Sequence, residues 1–458
     1  MSFSPDRAEM RFGCGLSPYL APPADVSDIL DGLMASDEMA KVFPIETFSQ
    51  FRVELVSVNK LRAQARKERD NVELRDQIKA RNRAAVAKSE RWFANTMLRW
   101  AHTPNGFRER LVAFWGDHFT AKGKQSIMTV STSPYLEEAI RPNITGRFGD
   151  LLVATTTHPL MLHFLDQNIS VGPDSRIAKR HKRLKGLNEN LAREVLELHT
   201  LGVDGPYTQD DVRQLAELFT GMTFNAKDGF VFRDEYGQPG SETVMGRRYG
   251  GDPARLEPIL QSLQDLAVHP VTARHIAQKL AVHFVSDQPD PALVDHVAQR
   301  FEATGGDLMA VYQALLEHPA AWNDTPSNVK PSVDFIASAW RALAVRPAHV
   351  KQMKTRDIRR VLVHPLRVMG QPWQRPNGPD GWSEDDTSWV TPQGVSARLR
   401  WAMSVPQLIR PDLPDPRDFV ASALGARPPE PVRFAAAAAE SRSEAIGLVL
   451  ASPAFQRR

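Results

Sequence analysis

Residues 46 to 102 contain neither proline nor glycine. A run of that length lacks the residues that punctuate short strands and tight turns. Within it, Lys60 to Arg91 is dominated by Arg, Lys, Glu, Gln and Ala, all good helix formers. The segment therefore predicts long helices and commits the chain to a mainly α fold. Eleven basic and five acidic side chains fall in that interval. The plainer reading is a solvated helix face laced with pairs around Arg62, Arg66 and Asp70; the other is a face that binds polyanions.

Amphipathic periodicity extends the helical reading along the chain. Phe107, Leu111, Phe114, Trp115 and His118 follow i, i+4, i+7, i+8 and i+11, one apolar stripe of a helix. Residues 149 to 166 form another apolar helix, interrupted near His158-Pro159. A helix from about Glu189 ends at Gly202, where glycine accepts positive φ. Thr208 and Asp211 have the spacing of a capping box for the next helix, which runs to about Gly221. Between Gly221 and Gly251 the pattern changes, and strand-like segments within about 223–246 flank Gly/Pro-rich turns, as in one small inserted β-hairpin. Helices resume at roughly 253–268, 271–285, 291–304, 307–317 and 333–345. Residues 370 to 394, rich in Pro, Gly, Trp and Asp, read as a long structured loop, a feature often functional in compact domains. The prolines of 409 to 432 suggest an extended connection, and Ala435 to Leu450 a terminal helix. The expected architecture is a large multi-helix body with an inserted hairpin. Its parts are 1–220, the hairpin 221–251, a second helical part 252–411 and a terminal segment 412–458, all in one continuous domain.

With 42% hydrophobic and 24% charged residues, the chain has material for a large core. Its net charge of +3 gives no bulk signal for nucleic acid. Cys14 is the sole cysteine, which excludes an internal disulfide and any multi-cysteine metal site; it reads as a small buried hydrophobe. The opening residues lack the apolar core of a signal peptide, and no stretch of roughly 18 apolar residues is present to span a membrane. A cytoplasmic location is the expectation.

The densest chemistry lies between Asn188 and Asp211. On a helical wheel Asn190, Arg193, Glu194 and Glu197 share a strip about 100° wide, opposite Leu191, Val195 and Leu198. Two carboxylates at i and i+3 with an arginine beside them can bind a divalent cation or divide acid and base roles. Alternatively, Arg193 neutralises them in an ion-pair network. His199 on the apolar side and His118 at the end of its stripe are each either hydrogen-bonded core residues or proton relays. His275, Lys279 and His283 share one face, but a lysine between two histidines disfavours a metal there. The strongest one-sign tract is Arg176, Lys179, Arg180, Lys182, Arg183 and Lys185, with no acid from Ser175 to Leu187. It reads equally as a solvated loop or as an anion-binding lip before a helix N-terminus. No aromatic residues interleave it, which weighs against single-stranded nucleic acid. No Rossmann fingerprint, nucleophile elbow or zincin motif is present.

Several words of the sequence resemble a bacterial family defined only as domain of unknown function 1800. They include Met97-Leu98-Arg99-Trp100, Arg108-Glu109-Arg110, Phe114-Trp115-Gly116-Asp117-His118-Phe119, His158-Pro159-Leu160-Met161 and Asn188 through Gly202. Others are His269-Pro270, Met369-Gly370-Gln371, Gly381-Trp382 and Leu450 through Phe455. The resemblance implies a mostly helical bacterial protein, often encoded beside a protein of the unknown-function family numbered 1501, with no assigned activity or catalytic residues. Relatives commonly carry a His–acid pair before Thr243-Val244-Met245-Gly246, where this chain has Gly237 and Gln238. Exported relatives occur, whereas these opening residues offer no export signal.

The functional expectation is an acid/base or metal-assisted hydrolase or lyase acting on an anionic envelope saccharide or similar polymer. Glu194 or Glu197 would supply acid and base groups, with Arg193 beside them. His118 or His199 would relay a proton, and the Arg176–Lys185 tract would hold the anion. The competing class is a non-catalytic assembly partner of the neighbouring-gene product.

Overall fold

The computed structural model describes residues 3–181, 186–323 and 328–458. The run without proline or glycine folds as two helices, α1 (Phe48–Lys67) and α2 (Val72–His102). Helix propensity continues through the break between them, which is made by a cap: the Asn71 side-chain oxygen accepts the Leu74 N–H at 3.1 Å. The chain then turns into α3 (Gly106–His118), whose Phe107, Leu111, Phe114 and Trp115 are all buried as their spacing predicts. Trp115 donates its indole N–H to the Tyr312 hydroxyl at 2.6 Å, and that hydroxyl donates to the Ile144 carbonyl. His158 ends the next helix pair's linker by accepting the Leu160 N–H on Nδ1, at 3.1 Å.

The acidic signature begins as α4 (Asn190–Glu194) and continues through a π-turn, Val195–Thr200. There the Thr200 hydroxyl donates to the Val195 carbonyl at 2.6 Å, and the Leu201 N–H reaches Leu196 five residues back. Gly202 follows at φ +88, the left-handed position foreseen for it. The Thr208–Asp211 capping box opens the helix Gln209–Leu218.

Where one hairpin was expected, two form. Met222–Asn225 pairs antiparallel with Gly229–Phe232, and Gly240–Val244 with Arg247–Gly251. Helices α5 (Pro270–Phe284) and α6 (Ser332–Ala342) follow. The proline-rich stretch 409–432 is not simply extended: it contains the helix Pro416–Leu424 and the start of another, Glu430–Ala438. Pro416 stands at the first helical position, where its missing N–H has no partner to lose, and Asp415 caps the Arg417 N–H at 2.9 Å. The single terminal helix expected over 435–450 is likewise two, because Ser441 caps a new helix, Arg442–Ala451. Among the described residues no helix is long and apolar enough to cross a membrane.

Two apolar cores result, and α2 is common to both. Its Ala85 and Trp92 join the first core with α3 and α5, while Phe93, Met97 and Trp100 join the second with α6 and the C-terminal helices. Buried charge crosses between them. Arg110 on α3 and Arg458 both pair with Asp334 on α6. Arg141 grips Glu109 with two bonds of 2.8 and 2.7 Å. Lys330, buried near Asp334 and 4.1 Å from the Phe455 ring, has its ammonium pKa pushed down to about 7, by burial first and by the neighbouring guanidiniums after it.

Asp334→Ala leaves two buried guanidiniums without a counter-ion. It should lower the free energy of unfolding by about 3–5 kcal/mol, read from urea titration of wild type and variant.

Candidate functional site

The loop 370–394 closes over α3 and completes a cavity of about 150 Å³. Its wall is largely apolar, with Trp100, Trp373, Trp382 and Trp389 among the lining side chains, and Asp117, His283 and Glu384 grouped on one part of it. Trp373 is fixed by stacking on Phe93, ring centroids 4.2 Å apart.

Asp117 lies on α3 one residue before His118. The Trp382 N–H sits 3.0 Å from each of its carboxyl oxygens. That approach requires glycine at 381: its φ is +80, and a Cβ there would lie 2.5 Å from Asp117 Oδ2. Burial, reinforced by the Glu384 charge, pushes the Asp117 pKa up to about 8, although the Trp382 bond opposes the shift. At neutral pH Asp117 therefore carries a proton.

Glu384 is the opposite case. Its carboxylate lies 2.8 Å from His283 Nδ1, and His283 Nε2 lies 3.0 Å from an Arg110 guanidinium nitrogen. Arginine can only donate, so Nε2 accepts and Nδ1 carries the hydrogen given to Glu384. Burial pushes the Glu384 pKa up, but His283, Arg458 and Lys279 outweigh it and hold the group at about 2. Burial also keeps His283 itself less basic than an ordinary histidine. Two carboxyl groups on one cavity wall thus differ in protonation between about pH 2 and about pH 8.

Behind Asp117 stand residues singled out from the sequence. His118 donates from Nε2 to the His199 carbonyl at 3.2 Å, and the two rings are 6.0 Å apart. Both are buried among aromatic residues, which lowers their pKa values, that of His199 to about 3. Among the described residues neither His199 ring nitrogen, nor His118 Nδ1, has a hydrogen-bond partner. His275 donates to the Leu198 carbonyl at 3.2 Å, and burial first, then Lys279, lowers its pKa to about 4. The Lys279 charge acts on Asp117, His118, His199, His275 and Glu384 together.

The acidic strip divides. Arg193 pairs with Glu189 and Glu197, each at 3.2 Å, at a half-exposed position. Glu194 makes no ion pair among the described residues, and burial with the Glu197 charge raises its pKa to about 7. Among the described residues no group of three or more His, Cys, Asp or Glu is arranged to hold a metal ion. In the basic tract Arg176, Lys179 and Arg180 form a short exposed helix, and Arg176 pairs with Asp234 at 2.6 Å. Lys182, Arg183 and Lys185 lie outside the described residues. Gln238 ties two segments together, accepting the Asp174 N–H at 2.9 Å and donating its own N–H to Thr220.

Sequence reasoning missed Asp117, Glu384 and the His283 contact. The signals present were the word Trp115-Gly116-Asp117-His118 and an unusually long Trp- and Gly-bearing loop, but nothing local links the two. The family model described as Protein of unknown function (DUF1800) matches residues 10–457, and the chain belongs to that family. Neither the search of curated proteins nor that of solved structures found a match.

The Asp117 shift has a signed consequence for stability. Between the unfolded pKa of about 4 and the folded value near 8, the native state holds a proton that the unfolded chain has released, so stability falls as pH rises through that window. Asp117→Asn mimics the protonated group and should remove that part of the slope, which urea midpoints for both proteins at the two ends of the window will show. Gly381→Ala should cost about 1–3 kcal/mol in the same titration, because a side chain must adopt a left-handed backbone there.

Proposed function

We propose that this protein is an acid/base enzyme that cleaves a saccharide chain, a hydrolase or a lyase, with Asp117 as the acid and Glu384 as the base. The observation that carries the reading is the pair of carboxyl groups with opposed protonation on one cavity wall. In the hydrolytic form, Glu384 takes a proton from water as its oxygen adds to the anomeric carbon. The glycosidic C–O bond breaks, and Asp117 gives its proton to the departing oxygen. In the lyase form Glu384 removes a carbon-bound proton instead; a C=C bond forms in that sugar as its C–O bond to the next unit breaks, and Asp117 gives its proton to the departing oxygen. The tryptophans suit the apolar faces of sugar rings, and the His283–Arg110 relay keeps Glu384 ionised and oriented. Within this reading His118 and His199 stand behind the acid, and Glu194, Glu197 and Arg193 lie outside the cavity lining, so none of the five belongs to the reacting pair.

Digestion of a panel of acidic and neutral polysaccharides tests the reading: new reducing ends indicate cleavage, and ultraviolet-absorbing unsaturated ends single out elimination. Asp117→Asn and Glu384→Gln should each lower the rate by about 100-fold or more with the circular dichroism spectrum unchanged. Activity should decline above about pH 8 as Asp117 loses its proton. Full activity in either variant would defeat the assignment.

A further inference from the structure

Helices α1 and α2 extend beyond the cores as an arm. Residues 59–84 hold one buried side chain, Leu74. Nine basic and four acidic residues fall between Lys60 and Arg83, a net of +5 in a chain whose total is +3, so the rest of the molecule is net −2. On the arm this charge is mostly unpaired. Lys79 pairs with Asp76 at 3.1 Å, whereas among the described residues Lys60, Arg62, Arg66, Lys67, Arg81 and Arg83 pair with no carboxylate. Holding this many like charges together without counter-ions favours an anionic partner.

The arm leads to the cavity. At its base an open groove is lined by Glu46, Gln50, Glu54, Ser57, Arg81 and Trp92, and Ile45 lines both this groove and the cavity that contains Asp117. Lys88 bonds Glu46 at 3.2 Å and Glu54 at 2.8 Å. Along the groove, then, two carboxylates face two cations, with an amide and a hydroxyl beside them.

We infer that the arm and groove form a docking track for an acidic polysaccharide, whose charged units are held by the arm cations and whose hydroxyl-bearing units lie in the groove. The sequence of surfaces selects that polymer. A strand charged at every unit, as nucleic acid is, gains nothing from a charge-balanced groove, and the arm has no aromatic side chain between Lys60 and Arg91 on which bases could stack. Only the choice of a saccharide rests on the catalytic reading above; the binding itself does not require turnover.

The test is fluorescence titration of the full chain with labelled hyaluronate, in which charged and neutral sugar units alternate, with neutral dextran and a short DNA duplex as comparisons. Arg66, Lys67, Arg81 and Arg83 are exposed, so replacing all four with Gln should leave the circular dichroism spectrum unchanged. A control changes Arg300, Lys351, Arg400 and Arg427, exposed cations elsewhere, to Gln. Wild type should bind hyaluronate and not dextran, and binding should weaken as salt is raised from about 20 to about 150 mM. The arm variant should bind about tenfold more weakly at low salt, and the control like wild type. Undiminished binding by the arm variant, or an equal loss in the control, overturns the docking track. Tighter binding of the DNA duplex than of hyaluronate overturns the saccharide as its occupant. Absence of cleavage products with arm-dependent binding intact would count against the catalytic reading alone.

Discussion

The buried Asp334 carboxylate is the point on which the two halves of this protein are joined. It accepts charge from Arg110 of the first core and from Arg458, while lying on a helix of the second. A single carboxylate cannot balance this much cationic charge cheaply in a medium that solvates ions poorly. The surroundings respond in kind: Lys330 is brought close to neutrality, and a second Arg110 nitrogen turns to His283. Through that imidazole the same network reaches Glu384. The ion cluster between the cores and the ionised carboxylate of the cavity are therefore one connected system.

Asp117 and Glu384 show how different surroundings divide identical chemistry. Glu384 faces an imidazole N–H and the field of Arg458 and Lys279, so its charge is welcome. Asp117 receives one backbone N–H, loses water, and faces the Glu384 charge. Each group helps to set the other: ionising the first makes ionising the second more costly. Neutral His118 and His199 add no charge behind Asp117, which leaves Lys279 as the cation shared by this region.

What the sequence made legible was local. The absence of proline and glycine from 46–102 announced the long helices, and the Thr208–Asp211 box and Gly202 were readable because each depends on neighbours a few residues away. Asn71 escaped notice because asparagine is tolerated in helices and acts as a breaker only when its side chain turns back to cap. Prolines 416 and 431 were read as barriers, although at a helix's first turn they start it. The cavity was illegible for another reason. Asp117 meets Trp382 across 265 residues, and no periodicity records that contact. His118 and His199 were noticed separately; that one donates to the other's carbonyl is a product of packing.

The contact that holds Asp117 comes from the main chain of residue 382, not from its indole. Every amino acid except proline carries that N–H. The ring at 382 can therefore be exchanged to suit a different ligand without disturbing the proton on Asp117, provided that residue 381 remains glycine. Selectivity and reactivity are thus separable at adjacent positions of one loop, and a lineage is free to explore the first while the second stays fixed.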